Sequence, residues 1–249
     1  PMSTMSSPPG EHRGGPGGHG RLYLHGVGSG GIAFLVITED GRRPDYLRLS
    51  VTDRCNLRCI YCMPPDGVPR VGHDDLLTLE QTARLVGDIH SILGLRRIRI
   101  TGGEPLVRKG VAGLISILPP GPEITMTTNG LLLCETAAEL ARNGLSRVNI
   151  SLDSLRDDVL RAVTRRETSL GAVERGIRCA VEAGLGPVKV NCVVLRGVND
   201  DELSRMVEWG AGMGVHVRFI EHMPLADGNP VRETVLRDEI AGLAGGGSP

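Results

Sequence analysis

The stretch YLRLSVTDRCNLRCIYCMP, Tyr46 to Pro64, joins two textures. Its first part alternates Leu47 and Leu49 with Tyr46, Arg48 and Ser50, the period-2 pattern of a strand with one apolar face. Its second part sets Cys55, Cys59 and Cys62 at the spacing C-x3-C-x2-C. Arg54, Asn56 and Arg58 interleave the cysteines, and Pro64-Pro65 and Asp66-Gly67 follow, so the thiols belong to a loop after a strand rather than to a packed core. Three is an awkward number of ligands. A structural zinc site takes four, and disulfides take pairs. Zinc would need a further group, and His73 lies eleven residues past Cys62. A [4Fe–4S] cluster is normally held by four cysteines, so three thiolates would leave one iron open to a small molecule. Spacing alone leaves both readings open.

Working outward, strand-like runs at 46–51, 96–101, 123–128, 146–151, 188–195 and 215–220 alternate with helix-like runs at 79–93, 111–118, 135–143, 157–163, 170–183 and 200–213. Thr78 with Gln81 three residues on forms a capping box for the first helix, and Gly94, Gly144, Gly184 and Gly214 punctuate helix ends. Six strand-then-helix units in series predict an α/β fold with a parallel sheet. Six units suit a partial (β/α)6 barrel of the TIM type better than the closed eightfold barrel. A doubly wound sheet is the alternative, but no Gly-x-Gly-x-x-Gly loop follows the first strand. In a parallel barrel, function collects at the C-terminal strand ends, which here carry Ser50, Thr101, Thr127, Ser151, Asn191 and Glu221.

TGGEP, Thr101 to Pro105, follows the second strand; its glycines would let backbone approach a ligand, and Glu104 offers a carboxylate. Arg48, Arg97, Arg99, Lys189 and Arg218 lie on strands among apolar neighbours, with Arg97 and Arg99 on one face and Ile98 and Ile100 on the other. On an ordinary half-covered sheet such residues face water; in a barrel they face the interior and call for anions. Asp153 or Ser154 is expected to cap the helix that follows the fourth strand.

Composition bounds the rest. Twenty-eight basic and 29 acidic residues give a net charge of −1, which favours no nucleic-acid partner. Only Lys109 and Lys189 among the basic residues are lysines. No run approaches the roughly 18 apolar residues of a membrane span, and GIAFLVI (31–37) is framed by no signal-peptide pattern, so no membrane is expected. Residues 1–30, rich in Gly, Pro, Ser and His, are expected to be a disordered tail in which His12, His19 and His25 are solvated. The core is expected over 40–238 and a flexible end over 239–249. A chain of 249 residues needs no disulfide framework, so Cys134, Cys179 and Cys192 are read as packed or idle thiols in a reducing cytoplasm.

CNLRCIYC resembles the signature of the radical S-adenosylmethionine (SAM) superfamily. The resemblance implies that SAM occupies the open iron and is cleaved by one electron to methionine and a 5′-deoxyadenosyl radical that abstracts a substrate hydrogen. IRITGGEPLVR, TTNGLLL, VNISLDSL, VKVNCVVLRGVNDDE and RFIEHMPL, in the right order, make the chain similar over about 40–238 to the GTP 3′,8-cyclase family of lyases in molybdenum cofactor biosynthesis. By that resemblance Cys55, Cys59 and Cys62 hold the cluster; Tyr61, Gly103, Glu104, Ser151 and Met223 contact SAM; and Arg48, Arg99, Thr127 and Lys189 contact GTP. Arg218 matches a residue implicated in turnover. GTP and a one-electron donor are the implied partners, and homodimerisation is left open.

The family carries a second three-cysteine cluster, C-x2-C-x13-C, which contacts the guanine. No cysteine follows Cys192 here. Either the sequence is truncated or a second cluster has been lost. The chain alone is then expected to bind one cluster and cleave SAM but to turn GTP over poorly. A radical SAM enzyme for another peptide or nucleoside substrate, and a cluster-bearing remnant without turnover, are the rival readings.

Overall fold

The computed structural model describes residues 44–67, 76–223 and 234–245. All the elements below belong to a compact unit spanning Asp45–Pro249, distinct from Pro1–Pro44. The expected tail, its histidines, His73 and the terminal Gly246-Gly247 fall outside the described residues.

Six strands form one parallel sheet in the order β1-β2-β3-β4-β5-β6: β1 Tyr46–Ser50, β2 Arg97–Thr101, β3 Glu123–Thr128, β4 Arg147–Ser151, β5 Lys189–Val194 and β6 His216–Glu221. A doubly wound sheet reverses its strand order at a switch point. Here every strand pairs with its neighbours in sequence, so the units step round in one direction, as the partial barrel requires. The helices are α1 Leu79–Leu93, α2 Val111–Ile117, α3 Leu133–Arg142, α4 Asp157–Thr164, α5 Leu170–Glu182, α6 Leu203–Met213 and α7 Arg237–Ala244. No helix among the described residues is long and apolar enough to cross a membrane.

The two faces of the sheet differ because strand side chains alternate. Ile98, Ile100, Ile124, Met126, Val148, Ile150 and Val190 point outward and pack against Leu114, Ile115, Leu140 and Ile177 of the surrounding helices, all buried. Each fully buried branched side chain contributes about 1.5–3 kcal/mol of transfer free energy. The helices are fixed by local chemistry. At α1 the Gln81 N–H donates to Thr78 Oγ1 at 3.2 Å and the Thr78 N–H to Gln81 Oε1 at 2.9 Å, the expected capping box. Gly94 then ends α1 at φ +67°, a conformation that costs a residue with a Cβ.

Three expectations need correction. The stretch 239–249 is not simply a flexible end: α7 covers Arg237–Ala244, and Ile240 and Val235 are buried with Val194 of β5 and Leu203 of α6. A flanking glycine run and one helical turn of apolar spacing hid this helix; a tertiary groove supplies what propensity does not. Cys134 and Cys179 are not idle thiols: they form a disulfide between α3 and α5, with Cα atoms 5.1 Å apart. Such a bond is uncommon in a reducing compartment. The two helices meet closely because Gly176 of α5 packs on the Gly130 carbonyl, where a Cβ would overlap. Finally, neither Asp153 nor Ser154 caps α4, whose N-cap is Arg156 without a side-chain bond. The Ser154 hydroxyl bonds Glu202, and Asp153 turns toward the site described next.

Candidate functional site

The loop after β1 is held by four surrounding segments. The Gly103 N–H donates to the Thr52 carbonyl and the Glu104 N–H to the Arg54 carbonyl, both at 2.7 Å. A Cβ on Gly102 would lie 2.5 Å from the Thr52 oxygen, and one on Gly103 would overlap the Arg54 carbonyl. These glycines therefore admit the backbone of the cysteine loop itself, not only a ligand as the sequence suggested. On the far side the Arg58 N–H donates to Thr164 O (2.8 Å) and the Ile60 N–H to Val163 O (2.9 Å), docking the loop on the end of α4. Within it, the Arg58 guanidinium donates to the carbonyls of Cys55 (2.6 Å) and Leu57 (2.7 Å).

Glu104 is buried, and three donors converge on its carboxylate: Leu106 N–H at 3.0 Å, Thr128 Oγ1–H at 2.7 Å and Asn129 N–H at 2.7 Å. A carboxylate has about four acceptor sites, so one remains for a ligand. Burial nonetheless raises its pKa. The Asn129 amide donates to Asn56 Oδ1 at 2.7 Å, tying the end of β3 to the cysteine loop. Tyr61 donates its hydroxyl to Asp153 Oδ2 at 2.8 Å, and Asp153 Oδ1 accepts the Val193 N–H at 2.9 Å, so a second tie joins the loop to β4 and β5. Burial pushes the Asp153 carboxyl up to about 6.

Cys55, Cys59 and Cys62 remain free and line one cavity with Tyr61, Gly103, Glu104, Thr127, Ser151 and Asp153. Desolvation raises all three thiols, and Asp153 adds to it at Cys59, which reaches about 12. A coordinating metal reverses that direction by deprotonating the thiol. Three soft sulfurs with no fourth cysteine on the loop suit an iron–sulfur cluster with one open iron. Among the described residues no three His, Cys, Asp or Glu side chains close around a single ion. A cubane does not require that, since each thiolate takes its own iron. His73, the fourth group of the zinc reading, lies outside the described residues.

A second cavity adjoins the first and shares Tyr61, Thr127, Ser151 and Asp153 with it. It opens into the sheet interior and is lined also by Arg48, Arg99, Asn191 and Arg218. Lys189 faces the same interior from β5; its pKa is lowered first by Arg218, then by partial burial, Arg147 and Arg99. Arg97 and Arg99 stack over the Tyr46 ring at 6.0 and 5.6 Å from its centroid. Of the interior acids Glu123 is bonded to Arg147 at 2.7 Å. The sequence-derived residues thus come together in two adjoining groups, with one exception. Met223 is 65% exposed beyond β6 and lines neither cavity. Sequence reading missed Asp153 as a tie to Tyr61, Asn129, Arg147 and the inward amide of Asn149, and took Asn191 only as a polar strand end. Period-2 alternation within β4 and β5 was the available signal for the last three.

The fold and the thiol-lined cavity define a class. The family model described as "Radical SAM superfamily" matches residues 49–210, more than half of the chain, and the chain belongs to that superfamily. The superfamily uses a [4Fe–4S] cluster and SAM. Among solved structures, a radical SAM methyltransferase from Sphaerobacter thermophilus shares the fold with a TM-score of 0.56 at 21% identity, over 84% of this chain and 68% of that one. A methylornithine synthase does so with a TM-score of 0.54 at 17% identity, over 82% and 63%.

In sequence the chain is similar to proteins named GTP 3′,8-cyclase. The protein of Petrotoga mobilis is 53% identical over 195 residues, 77% of this chain and 60% of that protein. That of Desulforamulus reducens is 49% identical over 210 residues, covering 82% and 64%. That of Streptomyces coelicolor is 46% identical over 196 residues, covering 78% and 57%. The chain therefore spans about 60% of the length of the curated relatives it matches.

Proposed function

We propose that the chain is the catalytic barrel of a GTP 3′,8-cyclase, a lyase acting early in molybdenum cofactor biosynthesis. The observation that supports this most is the sheet interior. Arg48, Arg99, Arg147, Lys189 and Arg218 face one another there, a cation set far beyond what Glu123 balances, next to a thiol-lined cavity. Such a set suits a triphosphate, for which arginine forks are matched donors. The relatives' name supplies the nucleotide.

In this reading Cys55, Cys59 and Cys62 hold the cluster, which when loaded with SAM supplies a hydrogen-abstracting 5′-deoxyadenosyl radical on one-electron reduction. The chain's own residues bind and orient. Glu104 has one acceptor site left for the SAM amino group, Gly103 and Ser151 line the same cavity, and Tyr61 is held on its rim by Asp153. Arg48, Arg99, Thr127 and Lys189 take GTP, and Arg218, which the resemblance implicates in turnover, lines the same cavity as Arg48, Arg99 and Thr127. Met223, exposed beyond β6, joins the SAM contacts on the resemblance alone. Such an enzyme needs a one-electron donor and fits a cytoplasmic setting.

Anaerobic reconstitution with iron and sulfide, followed by SAM and dithionite, tests the cofactor half. About four irons per chain and release of 5′-deoxyadenosine are expected, and Cys55→Ala removes both. Equilibrium binding of GTP tests the substrate half. Arg99→Ala and Lys189→Ala are each expected to weaken GTP about tenfold or more. SAM cleavage with no affinity for GTP would leave a radical SAM enzyme of another substrate.

A further inference from the structure

Asn149 and Asn191 sit on adjoining strands of the inner face of the sheet, offset by two residues in register. Asn149 is the register partner of Thr127 on β3 and of Lys189 on β5. Asn191 is the register partner of Ser151 on β4 and of Arg218 on β6. In parallel strands, partners point to the same face. Val148 and Ile150, on either side of Asn149, belong to the outward core, which sends Asn149 inward. Asn149 is 4% exposed, yet its Nδ2 has no hydrogen-bond partner among the described residues, and the same holds for Asn191 Oδ1. Buried amide atoms are nearly always bonded, so two orphans on adjoining strands, that of Asn191 at the wall of the cation-lined cavity, point to a ligand.

The chemistry of that ligand follows from what the amides offer. One donor, Asn149 Nδ2, and one acceptor, Asn191 Oδ1, face the interior. Their complement is a group that both accepts and donates, a hydroxyl. The register neighbours of the two amides are the cations Lys189 and Arg218, which suit phosphate. In a nucleotide, the hydroxyl-bearing part bonded to the phosphates is the sugar. We infer that Asn149 and Asn191 form a ribose-reading pair that binds the sugar hydroxyls of a ribonucleoside triphosphate. This rests on the cation-lined interior taking a nucleotide, as proposed above, and adds that the sugar is read by these two residues.

The test is equilibrium binding to the reconstituted holoprotein of GTP, 2′,3′-dideoxy-GTP, ATP and inorganic triphosphate. Wild type is expected to bind GTP about tenfold or more tightly than the dideoxy form, the factor a matched buried hydrogen bond contributes. Asn149→Ala and Asn191→Ala should each narrow that ratio while leaving inorganic triphosphate unchanged. Asn191 is only half-buried, so its variant serves where Asn149→Ala fails to fold. Loss of GTP and triphosphate affinity alike would make the asparagines structural and overturn the inference, as would an unchanged sugar ratio in the variants. If ATP binds as GTP does, with the same sugar discrimination, the guanine assignment fails and the ribose pair stands. If no nucleotide binds, both fall.

Discussion

Gly102 and Gly103 are the residues on which the cysteine loop closes. Both lie against backbone rather than side chain, so no rotamer change can make room for a Cβ. Gly102 also holds φ at +150°, where a side chain is strained by about 1–3 kcal/mol. Gly103→Ala is therefore expected to displace the Arg54 carbonyl and with it Cys55. Iron content after reconstitution should fall below half that of wild type, with a lower thermal midpoint. Gly87→Ala is the control. Its Cβ meets nothing within 4 Å, and α1 gains about 0.5–1 kcal/mol from the more helical residue. Equal iron loading in the two variants would show that the close approach is not what positions the thiols. The glycines were visible in TGGEP as a place of close backbone approach. Their neighbours were not, because a loop about fifty residues earlier supplies them.

Among the elements, α7 is the one that sequence periodicity concealed. Its hold on the barrel combines one buried side chain, Ile240, with an ion pair in which the Arg196 guanidinium donates to both Glu239 oxygens at 2.7 and 2.6 Å. Ile240→Ala should cost about 2–4 kcal/mol, read as lost amide-exchange protection over 237–244 and a lower denaturation midpoint. Unchanged protection there would mean that α7 does not depend on this contact. The hydrogen bonds from Arg196 hold the Glu239 carboxyl below its usual range. A depressed carboxyl pKa contributes stability that is present above the unfolded value and lost as pH falls through the folded one. Protection factors in α7 should accordingly decline below about pH 4.5. Glu239→Gln should remove that dependence. The six strands and first six helices, by contrast, were legible to within a few residues. Each has its own alternation or apolar stripe, and most of the helices end in a glycine or a cap.

Over the whole molecule the inward and outward faces of the sheet divide the labour. The outward aliphatics build the core with the helices, and the inward cations leave the interior charged. Like charges facing one another across a cavity oppose closure, and a bound polyanion relieves them. Inorganic triphosphate should raise the thermal midpoint of wild type, following its occupancy. The rise should shrink as salt is increased from about 0.05 to 0.5 M, because screening shortens the range of these charges. A midpoint insensitive to triphosphate would argue against an anion-taking interior.

Sequence by itself determined the class of fold, the thiol loop and the identity of the interior cations other than Arg147, because strand alternation, helix capping and cysteine spacing are local properties. Only the tertiary structure decided what depends on distant segments meeting. It placed the backbone of one loop against the glycines of another and Tyr61 on Asp153. It joined Cys134 to Cys179 and folded α7 into a groove between β5 and α6. It also left one amide atom of each of two inward asparagines without a partner among the described residues. None of these can be read from spacing, since burial and hydrogen-bond satisfaction are set by neighbours that the chain brings together only when it folds.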